Sequence, residues 1–451
     1  MMRYKKTHPL LILEGVKKLG LVFLIVFLRG LVSILKGGFY RWLSGAWVDV
    51  SLILLVLTFA TLNWYLLVYR IDGEKVEVKG GLFLFFNTKT PAEKISSISC
   101  KKLWYHRPFS VMQIRFDTVA KTHTTLFLPE SEADEIVKTF QGKSIETSHP
   151  NLPRITVLSA LFSDSLAGAG LLAAFTGRIA TLVGEEIKKG LTDTVANLIP
   201  AGPFSLARTI ATIILLGWAT GFVLNLIKLH GLKVTRHEFT LSVKGGLVTK
   251  RTSTVKVAGI GFLEIKQGLF SKLFGIYSLF LHSIGKKKED LTVLIPADDV
   301  SSLQKSLTTL LPEFLLTRPT LRPDKKAAFG FVFAPLTTIC TVLLIAAIFP
   351  KLLAPSSFAA PILFWWLFVR ILDFFTSGIA VQNDTFTFRY SSFFNLKTVV
   401  VKKDKITSIK LRQNPFQRFD ERCDVLVYTK GKTAHHIRNV DIKEARKVMR
   451  I

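Results

Sequence analysis

Three short segments of the chain set an aromatic side chain two positions before a basic one: Tyr105 with Arg107, Phe270 with Lys272, and Phe416 with Arg418. In the second and third, a glutamine stands three residues before the ring, Gln267 and Gln413. A ring beside a cation suits the boundary between lipid and water, where the ring sits among headgroups and the cation stays wet. The competing reading puts the ring in a protein core and the cation in solvent. Two lysine groups raise the same question: Lys286, Lys287 and Lys288 in one segment, and Lys402, Lys403 and Lys405 in another. Near an anionic leaflet each such charge contributes about 1 kcal/mol. They are candidate contacts for lipid headgroups or an acidic partner, or else ordinary solvated faces.

A second set of charges lies inside apolar stretches: Arg29, Asp164, Arg208, Arg370 and Asp373. Charge within a bilayer is costly and marks either a functional path or a structural pair. Arg370 and Asp373 are three apart on a helix and can neutralise each other. If these charges line a path, the chain is a transporter or handles lipid.

Catalytic chemistry finds no foothold. The sequence has no GxSxG, HExxH or GxxxxGK[ST] pattern, so no catalytic, cofactor-binding or metal-ligating residue is assigned, and a non-enzymatic role is expected. His435 and His436 are adjacent, so on a strand they point to opposite faces and cannot easily share a metal; both are expected in solvent. Cys100, Cys340 and Cys423 are too scattered for a disulfide framework or a zinc site.

The elements that must position these residues follow from how polarity is distributed. The chain has 451 residues, is 49% hydrophobic and carries a net charge of +28. Its apolar residues come in long blocks separated by charged ones, which is the division expected when part of a chain lies in lipid. The basic residues fall between those blocks, which points to a positive-inside bias and an anionic leaflet rather than nucleic acid.

About 20 apolar residues cross a bilayer as a helix. Six stretches approach that length: 19–35, 46–69, 155–175, 204–227, 327–349 and 358–374. They pair through short links, which predicts six helical spans in three hairpins. The division expected is a tail with the first hairpin (1–69), a domain (70–154), the second hairpin (155–227), a domain (228–326), the third hairpin (327–376) and a last domain (377–451). The polar segments then share one side with the N-terminus. Arg318, Arg322, Lys325 and Lys326 lead into the fifth stretch while Lys351 stands alone beyond it, which assigns that side to the cytoplasm of a cell membrane. Residues 228–326 hold 17 basic and 8 acidic residues and 377–451 hold 16 and 7, against 12 and 10 in 72–154. The second and third polar segments are therefore the more basic surfaces.

The polar segments repeat. Val78-Lys79-Gly80-Gly81-Leu82 recurs 165 residues later as Val243-Lys244-Gly245-Gly246-Leu247, and a third copy follows 146 residues on, with Tyr390-Ser391-Ser392-Phe393 in the place of the Lys-Gly-Gly-Leu step. The aromatic/basic segment falls at the same distance in every copy. Alternation such as Thr385-Phe386-Thr387-Phe388 marks half-buried strands. Each copy ends in a helical stretch, at 130–140, 297–311 and 441–450. Small α+β units of antiparallel strands closed by one helix are expected.

This arrangement resembles the bacterial pleckstrin-homology-like (PH-like) domain of the membrane-flanked family, the domain of unknown function 304. Paired spans alternating with three such domains resemble the YdbT-type members. The Gln-x-x-Phe-x-Lys/Arg segments at Gln267–Lys272 and Gln413–Arg418 carry the likeness; the first copy departs, with Lys102 for the glutamine and Tyr105 for the phenylalanine. The resemblance implies a seven-stranded barrel capped by a helix, no phosphoinositide site and no defined enzymatic activity. It also implies a link to envelope stress or bacteriocin resistance. The partners expected are the bilayer, anionic headgroups, and a membrane protein or a second copy, with no nucleic acid and no cofactor.

Overall fold

In the computed structural model, residues 4–18, 40, 46–72, 75–82, 85–120, 122–142, 144–150, 157, 205–286, 292–314, 316–349, 353–392, 395–430 and 433–449 are described. Each repeat contains six strands followed by a helix. In the first these are Val68–Asp72, Lys75–Gly80, Phe86–Pro91, Ile95–Lys102, Val111–Thr118 and His123–Pro129, then the helix Glu130–Gln141. In the second they are Lys233–His237, Thr240–Gly245, Lys250–Lys256, Ile260–Gly268, Tyr277–Ser283 and Thr292–Asp298, then Val300–Leu310. In the third they are Gly378–Gln382, Thr385–Ser392, Asn395–Lys402, Ile406–Arg412, Arg422–Thr429 and Thr433–Asp441, then Ile442–Met449. Strict alternation is clearest in Arg422–Thr429, where half-buried and fully buried residues take turns along the whole strand. The Gly-Gly step makes its turn through Gly81 at φ 115° and Gly246 at φ 104°, a region that glycine enters without steric cost.

The chain divides into two units. One holds Met1–Ile145 with His237–Ser242 and Thr249–Gly259; the other holds Glu146–Arg236, Val243–Val248 and Ile260–Ile451. In the first unit, the first three strands of repeat one face the last three across a core that includes Tyr69, Val76, Val78, Ile98, Ile114, Phe116 and Leu126. The helix Glu130–Gln141 closes that core with Ala133 and Val137. In the second unit, repeat three builds the same arrangement around Phe386, Phe388, Val399, Val425, Val427 and Ile437, with Ala445 and Met449 from the closing helix. Phe262 of repeat two enters this core as well.

The expectation of a six-span helical membrane protein does not hold. The described residues are about 40% strand in four sheets, and they contain two helices long and apolar enough to cross a membrane, Ala46–Leu66 and Lys325–Ile348. The stretch 19–35 and all of 155–175 but residue 157 lie outside the described residues, as do Arg29 and Asp164 and the side chain of Arg208. The stretch 204–227 falls in the helix Ser205–Leu229, of which Leu215–Leu229 is the apolar helical part described. The stretch 358–374 falls in the helix Leu353–Thr376, and its last turns serve the β-domain rather than lipid.

Asp373 explains that reassignment. It is 1% exposed. Its Oδ1 accepts the Ser391 N–H at 2.6 Å, while Arg370 Nη1 and Arg438 Nη1 stand 3.5 and 3.7 Å from Oδ2. Ser391 belongs to the Ser-Ser turn and Arg438 to the last strand. A count of apolar residues cannot see this, because the charge is neutralised by partners far along the chain. Removing one member of a buried ion pair costs roughly 3–5 kcal/mol. Asp373→Ala is therefore expected to lower stability by about 3 kcal/mol in thermal unfolding of the detergent-extracted protein. Asp373→Asn keeps an oxygen for the Ser391 N–H and loses less; equal losses would show that this hydrogen bond contributes nothing.

Candidate membrane-facing site

In every repeat the aromatic/basic segment folds into one helical turn between the fourth and fifth strands. These turns are Trp104–Phe109, Leu269–Leu273 and Pro415–Phe419. Each exposes large apolar side chains: Trp104 and Phe109 in the first, Leu273 and Phe274 in the second, Phe416 and Phe419 in the third. Phe419 is 88% exposed and Leu273 80%, values that a soluble domain rarely gives two neighbouring rings or branched chains. Arg107 and Arg418 are exposed beside them. Lys272 is half-buried, and burial pulls its ammonium below the ordinary lysine value.

The glutamine of the sequence pattern closes the base of the turn. Gln267 Nε2 donates to the Ile276 carbonyl at 3.3 Å, and Gln413 Nε2 donates to the equivalent Arg422 carbonyl at 2.6 Å. In the first repeat Lys102 takes that place and pairs instead with Glu130. Tyr105 is also drawn inward: its hydroxyl donates to Glu14 Oε1 at 2.6 Å, and its ring packs on Leu10, Val111 and Phe127. The side chain of Phe270 lies outside the described residues.

The third turn has the fullest support. Asn414 caps it, accepting the Gln417 N–H at 2.7 Å, while Gln417 Oε1 accepts the Asn414 N–H at 3.0 Å. The buried Gln417 amide then donates to Asp424 Oδ1 at 2.7 Å and to Asn439 Oδ1. Asp424 also accepts the Asn439 N–H at 3.0 Å and faces His436 Nε2 at 2.9 Å. Burial alone would raise the Asp424 carboxyl, yet His436, the Asn439 N–H and Gln417 together hold it below its ordinary value.

Two of the turns lie where helices leave the domain. Asn439 packs on Gly330 in the first turns of the apolar helix, so tightly that a Cβ on Gly330 would fall 3.0 Å from Asn439 Cγ. Through Gln417 and Asn439 the third turn is therefore held beside the start of Lys325–Ile348. The second turn is placed by strand register. Asp373, near the end of Leu353–Thr376, binds Ser391; Ser392 pairs with Asn395, and Asn395 pairs with Gly268, the residue before Leu269. In the first unit the Gly-Gly turn likewise abuts a helix end, since a Cβ on Gly80 would lie 2.6 Å from Leu67 Cδ1.

The lysine groups separate on inspection. Lys286 is 9% exposed and its Nζ reaches Thr292 Oγ1 at 3.5 Å; Lys287 and Lys288 lie outside the described residues. Lys402 Nζ stands 5.2 Å from the Phe314 ring centre, and Lys405 pairs with Asp404 at 2.8 Å. Lys403 is exposed. His435 and His436 do point to opposite faces, but His435 is not in solvent: it is 1% exposed, its Nδ1 is 2.9 Å from Tyr390 Oη, and it lies against Phe262. The sequence pattern singled out Phe416 but missed Phe419, Leu273, Phe274, Trp104 and Phe109. The signal was available for Phe419, Leu273 and Phe274 as apolar residues within two positions of the helix-terminating Asp420 or Gly275.

Three six-stranded repeats, each closed by a helix and each carrying this turn, define a PH-like architecture. The bacterial PH domain family matches residues 10–144, 186–310 and 329–451, and the chain belongs to that family. Over its full length it is similar to the UPF0699 transmembrane protein YdbT of Bacillus subtilis (strain 168). The two are 19% identical over 489 aligned residues, covering 98% of this chain and 95% of the relative. The protein is thus a membrane-associated PH-domain protein.

The Asp424 carboxyl is depressed in the fold, so its ionised form contributes stability that is fully present above the ordinary carboxylate value and is lost as pH falls from there through the lower value it has in the fold. The midpoint of thermal unfolding is expected to drop across that acid range for the wild type and to change less for Asp424→Asn, which starts lower at neutral pH. Parallel pH profiles for the two proteins would remove Asp424 from the account.

Proposed function

We propose that the protein is a non-enzymatic membrane scaffold whose PH-like domains lie on the cytoplasmic face and touch the bilayer through the exposed helical turns. The observation that carries this reading is the position of the third turn. Phe416 and Phe419 are 76% and 88% exposed on an element fastened, through Gln417 and Asn439, to the start of an apolar helix able to cross a membrane. Rings held at that depth gain from burial among headgroups. Arg418 beside them, and Lys272 beside Leu273 and Phe274, are drawn to an anionic leaflet, as is the exposed Lys403. The basic cluster Arg318, Arg322, Lys325 and Lys326 ahead of Lys325–Ile348, against the lone Lys351 beyond it, favours the cytoplasmic side. Arg370 and Asp373 support a structural pair better than a transport path, because the partners of Asp373 belong to the β-domain.

An environment-sensitive fluorophore on Phe416→Cys, in a Cys340→Ser background, tests this in proteoliposomes. Emission is expected to shift to the blue in vesicles containing phosphatidylglycerol, to be quenched by spin-labelled lipid, and to move back with Arg418→Glu. It should also weaken at high salt, as screening shortens the reach of the basic residues. Emission typical of water in every lipid mixture would sink the proposal.

A further inference from the structure

Successive repeats are joined through the edges of their sheets. In the first unit the fourth strand of repeat one, Ile95–Lys102, pairs antiparallel with the third strand of repeat two, Lys250–Lys256, with Lys101 opposite Arg251 and Ser97 opposite Val255. In the second unit the fourth strand of repeat two, Ile260–Gly268, pairs antiparallel with the third strand of repeat three, Asn395–Lys402, with Lys266 opposite Lys397 and Leu263 opposite Val400. The repeat offsets carry one register onto the other: Lys101 corresponds to Lys266 and Arg251 to Lys397. One junction is thus made twice with the same pairing.

Three repeats supply three fourth strands and three third strands, and among the described residues two of each are paired across repeats. Among those residues the fourth strand of repeat three, Ile406–Arg412, stands at the end of its sheet, and so does the third strand of repeat one, Phe86–Pro91. Their exposure agrees. The paired fourth strands are buried over most of their length, whereas every residue of Ile406–Arg412 is half-buried or exposed. Within Phe86–Pro91 only Thr90 is buried, and Phe85 just before it is 76% exposed. An open edge presents unpaired N–H and C=O groups that natural proteins usually cover.

We propose that these two edges pair between copies of the chain: Ile406–Arg412 of one copy against Phe86–Pro91 of the next, in the register already used twice. That register sets Arg412 opposite Phe86, Lys410 opposite Thr88 and Ser408 opposite Thr90. Many extended segments can add to an open edge. Two features select a second copy. The open edges are the unused halves of a junction whose geometry this chain has already made twice. Charge agrees as well: the formed junctions tolerate like charges directly opposite, Lys102 with Lys250 and Lys266 with Lys397, and the open one has none. Pro91 costs nothing there, because it corresponds to Lys256, which lies outside the paired register. The contact is head-to-tail, so it closes into a ring or extends into a row.

The test is a cross-link between two differently tagged chains made together in one membrane, each with Cys340→Ser. One carries Thr88→Cys and the other Lys410→Cys; the full chain is used in both. Mild oxidation is expected to give a disulfide-linked heterodimer from the mixture and nothing of that size from either variant alone. Thr88→Cys with Leu411→Cys is expected to give little, since residue 411 faces the other side of the strand. No heterodimer from the matched pair, or equal yields from matched and mismatched pairs, would overturn the proposal. So would a linked monomer from one chain carrying both Thr88→Cys and Lys410→Cys with no linked dimer. The inference goes beyond the lipid-contact reading and does not rest on it: the fluorophore at Phe416→Cys reports lipid, and the cross-link reports strand pairing.

Discussion

A strand left without a neighbour leaves backbone donors and acceptors unpaired, and the repeats of this protein are arranged around that requirement. Repeats one and three each split their six strands into two sets of three that face each other over a core, which leaves their third and fourth strands at sheet edges unless a neighbouring repeat covers them. At both internal junctions the answer is the same, a fourth strand against the third strand of the next repeat. The pairing is firm enough to hold lysines opposite lysines. Nearby carboxylates offset the repulsion: Lys397 reaches Glu264 at 2.6 Å, and Lys102 pairs with Glu130 from the closing helix. In the first junction the closing helix also takes part. Gln141 Nε2 donates to Ser242 Oγ at 3.0 Å, and its carbonyl accepts from Thr240 Oγ1 at 3.0 Å. Close approach finishes it, since a Cβ on Gly259 would lie 2.9 Å from the Ser96 carbonyl oxygen.

The exposed helical turns depend on that sheet. The first two follow junction strands, so the register that joins two repeats also fixes where those turns emerge. The glutamine bond across its base, from Gln267 to Ile276 and from Gln413 to Arg422, keeps the turn short and its apolar residues outside. A neutral hydrogen bond of this kind contributes about 1 kcal/mol, which is small for folding but enough to favour one loop conformation over several. The first repeat trades this bond for an ion pair and folds its tyrosine under the helix Leu10–Lys18. That trade comes in the repeat with the smallest excess of basic residues.

Much of the local structure was legible in the sequence. The alternation of Thr385-Phe386-Thr387-Phe388 and the Gly-Gly step gave strands and turns, because periodicity and positive φ are local properties. The Gln-x-x-Phe-x-Lys/Arg segment marked the place and its basic residue, but not the helical turn it forms. The span count failed, because an apolar run reports length and not what surrounds it; Asp373 looks like a charge in lipid until Ser391 and Arg438 are brought beside it by the fold. His435 failed for a related reason: alternation fixed which face it takes, but the cover it receives from Tyr390 and Phe262 depends on strand pairing and on a neighbouring repeat. The inter-repeat register was invisible, since it relates residues 127 to 158 positions apart through backbone groups that every residue carries.

The joints between helices and sheets bear on how such a protein can act. The helix Leu353–Thr376 is separated from the strand Gly378–Gln382 by Ser377 alone, whose N–H is bound by the Asp373 carbonyl at 2.7 Å. In the first unit Leu67 alone stands between Ala46–Leu66 and Val68–Asp72, and Leu67 is buried against Gly80. After Ser205–Leu229 the chain turns at Gly231, and Leu247 N–H returns to the Ile227 carbonyl at 3.0 Å. A flexible tether would let a domain search the membrane surface for a ligand. Joints of one to three residues, reinforced in the second and third repeats by hydrogen bonds from the Gly-Gly or Ser-Ser turn, are not tethers of that kind. These domains are continuations of their helices, so the direction each faces is set by the helix that leads into it and not by a tether.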